Sequence, residues 1–253
     1  MNPEAIANPD LKTQVELEAK NLKVIMNQLG DGVGLIDNFG ELYQSLIRFV
    51  VLPDGGIATG RAKISILALH MLMKARANLL IGAATLLRGY RANSLLYLRG
   101  AIEAVAFAAH VRRNPDLADV WLNSVADCDA YKKYKRKFKN VFPADDTALQ
   151  PLYERYDFCS RSIHSSPYAI AGNLDYPAAE SEMVINFKLF DLPEDQAATT
   201  LCVVLDTHRL ILRKFAQALQ EEISANVAVW EVRLNSAEAA LEFHKSTWQA
   251  AAT

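Results

Sequence analysis

The stretch Arg91–Arg113 (RANSLLYLRGAIEAVAFAAHVRR) is apolar on nearly every side, yet it carries Arg99 and Glu103. A helix that is apolar all round has no face to give to water and belongs inside a protein. Burying charge is costly unless it is paired. The chain is therefore expected to wrap other helices around this segment. Its charges then either pair in a polar network, build a site, or lie along a solvated edge. Arg99, Glu103 and His110 fall on one narrow stripe, since Glu103 lies four residues and His110 eleven residues beyond Arg99.

The flanking sequence supplies those helices. Leu11 to Leu29 is amphipathic, and the GDGVG run at 30–34 ends it. Leu35 to Leu52 reads as a second helix, followed by a loop at 53–60 with an Asp54-Gly55 turn signal. Arg61 to Arg88 is a long helix with Lys63, His70, Lys74 and Arg88 on a polar face and Arg76 on the apolar side. Its connection to Arg91 is very short, which makes antiparallel neighbours. One helix is predicted from Leu117 to Phe142 and another from Asp145 to Ser165, the latter with Leu149, Leu152, Tyr156, Ser160 and Ile163 inward. Residues 167–193 break the helical pattern, and Met183 to Leu189 alternates with period two, as a short strand or hairpin does. Helices at Glu194–Leu219 and Ser236–Gln249 complete the chain. The expected fold is all-α: an antiparallel helical bundle with one short non-helical or β-hairpin excursion near 167–193. It divides into an N-terminal helical segment (1–59), a bundle core (60–220) and a C-terminal helical appendage (221–253).

With 51% hydrophobic residues among 253, a sizeable core is available. The formal charge of -2 gives no global case for nucleic acid, so any such contact needs a local patch. Cys128, Cys159 and Cys202 are scattered and form no CxxC pair, which argues against a disulfide framework and a structural zinc site. The polar N-terminus shows no signal peptide, and the longest apolar runs are broken by His70, Lys74 and Arg76 or by Asp206, His208 and Arg209. A cytoplasmic protein with no membrane partner and no cofactor is expected.

Four constellations compete with plainer readings. The Arg99–Glu103–His110 stripe is either a network or a solvated edge. Tyr153, Tyr156, Ser160 and His164 cluster beside the apolar face of their helix, with Arg161 displaced and Arg155 pointing away. There His164 is either a ligand contact or a capping or core histidine. His208 shares a stripe with Leu201, Leu205, Leu212 and Phe215, where a core role is the plainer reading. Glu103, His164 and His208 together would make two histidines and a carboxylate, but no Glu-x-x-His pair supports a metal. Lys132 to Lys139 (KKYKRKFK) interleaves bases with aromatics, and is expected to be a solvated face with Tyr131, Tyr134 and Phe138 turned inward. The glycine run at 30–34 lacks a Gly-Lys-Ser/Thr ending and reads as a linker. No Ser-His-Asp or Cys-His arrangement is found, Cys159 facing away from His164.

Arg91, Arg99 with Glu103, Trp121, and Ser160 with His164 form a pattern that resembles a bacterial group similar to the HEPN (higher eukaryotes and prokaryotes nucleotide-binding) superfamily. The resemblance spans roughly residues 60–220. It implies a bundle of four to five helices, usually dimeric, and a nucleotide or RNA ligand. Many such domains are metal-independent ribonucleases of toxin or defence systems, with Arg, four to six residues, then His. Here Arg161 leaves two residues before His164 and Arg155 leaves eight, so the catalytic pair does not carry over. The expected function is a non-catalytic binding or regulatory module whose polar cluster is Arg91, Arg99, Glu103, Ser160, His164 and His208. The alternatives are a ribonuclease using His164, Arg99 and Arg161, or a structural subunit of a larger assembly.

Overall fold

The computed structural model describes residues 10–52, 60–138, 141–142, 146–163, 174–175, 186–187, 194–223 and 225–251. Helix α1 (Leu11–Leu29) starts where the Asp10 carboxylate accepts from the Thr13 amide at 2.8 Å. It stops at Gly30, whose φ of 52° is costly for any side-chain-bearing residue. A single 3₁₀ turn (Gly30–Val33) leads into α2 (Gly34–Phe49). The glycine run is thus more than a linker: a Cβ on Gly32 would lie 2.1 Å from Trp248, so only glycine seats that indole.

Helices α3 (Gly60–Leu87) and α4 (Arg91–Arg113) form the central antiparallel pair. Gly89, at φ 97°, closes α3, and the Tyr90 amide reaches back to the Thr85 carbonyl at 3.1 Å. This is the left-handed cap that lets a helix end and reverse within three residues.

The single helix expected from Leu117 to Phe142 is instead two. Helix α5 (Leu117–Leu122) runs into a 3₁₀ turn (Asn123–Val125), and α6 (Cys128–Lys137) begins afresh. The local polar residues explain the break. Ser124 Oγ donates to the Trp121 carbonyl at 2.6 Å, and the Asp127 carboxylate caps α6 by accepting from the Asp129 and Ala130 amides. Helix α7 (Gln150–Ile163) starts later than expected, after a 3₁₀ turn (Thr147–Leu149) capped by Asp146. Within the excursion near 167–193, β1 (Leu174–Asp175) and β2 (Asn186–Phe187) pair antiparallel.

Helix α8 (Glu194–Ala218) matches its prediction, and a short α9 (Gln220–Ile223) follows. Helix α10 (Val227–Ala251) begins nine residues before the expected Ser236. The β-branched and alternating character of its first turns hid it: Val229 and Val232 point to solvent while Trp230 and Leu234 are buried.

Helix α4 packs on α3, α7 and α8, while α2, α8 and α10 pack on one another and close the other side. One continuous core runs from Ile25 and Leu29 of α1 through Phe39, Tyr43 and Leu46 of α2 to Trp230 and Leu241 of α10. Trp230 buries its ring and donates Nε1–H to the Leu42 carbonyl at 3.0 Å. By length and composition alone α3 and α4 are apolar enough to cross a bilayer, contrary to the expectation from interrupted apolar runs. In this fold they are the centre of the bundle.

Candidate functional site

The polar stripe of α4 meets α7. Near one end of this pair Arg113 ion-pairs with Asp146, just ahead of α7. Fourteen residues earlier on α4, Arg99 Nη2 donates to the Tyr156 hydroxyl at 2.9 Å. The two helices therefore run antiparallel, and Arg91 and Ser160 lie toward the same end. The Arg99 guanidinium carbon also sits 4.9 Å from the Tyr156 ring centroid, and Nε donates to Glu103 Oε1 at 3.2 Å. A planar cation held by a carboxylate, a phenol oxygen and an aromatic face has little rotational freedom left.

The stripe is an edge and not a buried network, because Arg99 and Glu103 side chains keep 22% and 44% of their exposure. Arg91 is half-buried, and its carbonyl accepts from Ser94 Oγ at 2.7 Å. The inward face of α7 also differs from the expected one. It centres on Leu152 and Cys159, continued by Leu149 of the preceding turn, with Tyr156 and Ser160 at its rim. Cys159 is fully buried, and burial pushes its thiol up to about 12 despite nearby Arg155 and Arg99. It is no nucleophile. Ser160 Oγ is buried and has no hydrogen-bond partner among the described residues. Arg161 faces solvent and pairs with Asp157. His164, the residue after α7, lies outside the described residues.

Further along the stripe, His110 packs edge-on against Phe138, and its Nδ1 is buried without a partner among the described residues. Burial, helped by the Arg113 charge, lowers its pKa below the usual histidine value.

His208 is a core residue. It is fully buried on α8, and Nδ1 shares a 2.7 Å hydrogen bond with the Tyr43 hydroxyl of α2. Burial drives its pKa down to about 3. It pairs with Tyr43, while Glu103 pairs with Arg99. Among the described residues no group of three or more His, Cys, Asp or Glu is placed to hold a metal ion.

Two polar clusters escaped the sequence reading. Glu222 of α9, with its side chain only 1% exposed, accepts from Arg112 Nη1 at 2.8 Å and from Ser65 Oγ at 2.7 Å. Asp206 of α8 accepts from Arg155, Arg209 and Lys245, tying α7 and α10 to α8. Burial raises the Asp206 pKa, but Lys245 and Arg209 outweigh it and the net shift is downward. Arg155, expected to point away, is thus turned onto α8. Only Asp206–Arg209 has helical spacing visible in sequence. The other partners come from distant helices.

A separate open groove of about 420 Å³ lies beside the α3–α4 turn, lined by Glu18, Thr85, Arg88, Tyr90, Asn93, Leu96 and Tyr97. It contains none of the residues of the predicted polar cluster.

No family model matches the chain, and no match was found among curated proteins or solved structures. The HEPN resemblance therefore stands on the quoted residues alone.

Proposed function

We propose that the chain is a non-catalytic, helical-bundle binding module of HEPN-like type that receives an anionic group, a nucleotide or RNA phosphate, at the Arg99 edge of the α4–α7 pair. The observation that carries this reading is the combination of a fixed, partly exposed guanidinium with a buried Ser160 hydroxyl that has no partner among the described residues. Guanidinium planes match phosphate geometry, and an orphaned hydroxyl costs free energy unless something completes its hydrogen bonding. Dimerisation belongs to the same proposal. In its support, α3 and α4 expose Met73, Ile81 and Leu96, each about half exposed.

The test combines binding and chemistry on one preparation. Inorganic phosphate, nucleoside monophosphates and single-stranded RNA are titrated by thermal shift against wild type and Arg99→Ala. A mixed RNA pool is incubated without metal. Stabilisation of the wild type, lost in Arg99→Ala and without RNA cleavage, supports the module. Metal-independent cleavage that disappears in a folded His164→Ala replaces it with the ribonuclease. Light scattering checks the dimer, and a monomer mass across micromolar concentrations refutes that part.

A further inference from the structure

The hairpin of α5 and α6 carries a surface that the Arg99 edge does not use. Helix α6 has no buried residue, and its sequence CDAYKKYKRK sets Lys132, Lys133, Lys135, Arg136 and Lys137 against Asp129 within the helix and Asp127 at its cap. Tyr134 and, just past the helix, Phe138 pack inward, with Phe138 stacked on Phe107 at 4.5 Å. At 100° per residue the five cations then cover the whole outward half of the helix. Asp129 neutralises only Lys132, at 2.9 Å. In a chain of net charge -2 this concentration is local.

Beside the cations stand side chains that solvation alone does not explain. Val125, in the turn before α6, is 91% exposed, Leu122 is 42% exposed, and Tyr131 is 52% exposed where the sequence reading had it inward. The hairpin is held to the bundle. Lys63 pairs with Asp119 at 2.9 Å, and the Trp121 ring packs against Phe107 and His70. Val125 and Leu122 are therefore carried by the same supported element as the bases.

We propose that this hairpin docks the protein reversibly onto an anionic lipid surface, the cations facing acidic headgroups while Val125 and Leu122 enter the headgroup layer. Basic charge supplies attraction to anionic leaflets, and stable anchoring takes a second, apolar signal; both are present. A lipid surface fits better than single-stranded RNA. Aliphatic tips such as Val125 and Leu122 offer no ring for base stacking. The Tyr131 ring is already stacked on Tyr134 at 6.0 Å, with Lys135 Nζ 5.9 Å from its centroid. The docking is peripheral and crosses nothing.

Co-sedimentation of the full chain with vesicles tests the proposal. One set is phosphatidylcholine alone and the other includes about a third phosphatidylserine. The expected result is binding to the serine-containing vesicles only, released by raising salt. Combined Lys133→Glu, Lys135→Glu and Arg136→Glu is expected to weaken it more than about tenfold, and Val125→Asp by several-fold with an unchanged melting temperature. Lys133→Gln with Arg136→Gln provides a milder change should charge reversal unfold the hairpin. Failure to bind serine-containing vesicles overturns the proposal. So does equal binding by well-folded variants, or salt-sensitive binding of single-stranded RNA in place of vesicles.

Discussion

Replacing Glu222 with Ala probes the most deeply buried charge among the described residues. Its carboxylate is held by Arg112 from α4 and Ser65 from α3. Removing one member of a buried pair costs about 3–5 kcal/mol, because the other charge is left in low dielectric. Two features of this cluster lower the figure. Arg112 is 23% exposed and keeps Glu221 at 3.3 Å, and Ser65 Oγ also donates to the Arg61 carbonyl at 3.1 Å. The expected loss is therefore about 3 kcal/mol, at the lower end of that range. For a domain of this size it corresponds to a drop of roughly 6–12 °C in melting temperature. Glu222→Gln retains the shape and an acceptor for Ser65 while losing the charge, and should fall between wild type and Ala. Urea unfolding with a common m-value, alongside thermal melts, measures both. A loss under about 1 kcal/mol for Ala, the scale of an exposed pair, refutes the reasoning. A Glu222→Gln variant as stable as wild type refutes the electrostatic part of it.

Arg99→Ala should cost only about 1 kcal/mol, given the exposure of its pair with Glu103; a loss above about 3 kcal/mol in the same urea assay contradicts the edge assignment. His208 makes stability acid-sensitive. Between 6.5 and about 3 the unfolded chain binds a proton that the folded chain refuses, so stability falls as pH drops below 6.5. The slope is about 1.4 kcal/mol per pH unit, and melts of wild type and His208→Gln across this window should differ in slope; parallel curves sink the idea. Gly32→Ala forces Trp248 out of its seat, with an expected cost of about 1–3 kcal/mol and a change in tryptophan emission; unchanged stability and spectrum overturn it.

Legibility in the sequence is greatest where periodicity is long and punctuated. Helix α4 falls at Arg91–Arg113 and α1 at Leu11–Leu29, since caps and glycines mark their ends. It weakened where short polar side chains compete for the backbone, as Ser124 and Asp127 do between α5 and α6. It also weakened at α10, whose exposed valines resemble a strand or coil pattern. At the candidate site, Arg99 and Glu103 were visible because four-residue spacing is a local property. Tyr156 as the partner of Arg99 was not, lying 57 residues away. Glu222 and Tyr43 were invisible for the same reason: nothing in QEEI or in the face of α2 announces a partner more than 100 residues distant. Residue burial shows in a stripe, but pairing across helices is decided by packing.

The contact between Trp230 and the Leu42 carbonyl joins residues 188 apart, and it sets an order of events during synthesis. Helix α2 is made early, yet its face of Phe39, Tyr43 and Leu46 is completed by α8 and α10, which are made late. At about 5–20 residues per second, a ribosome takes roughly 10–40 s to cover that distance. For this interval α2 has a greasy face and no lid. Until then α3 is the long partner already made that packs on α2, and the arrival of α10 closes the face.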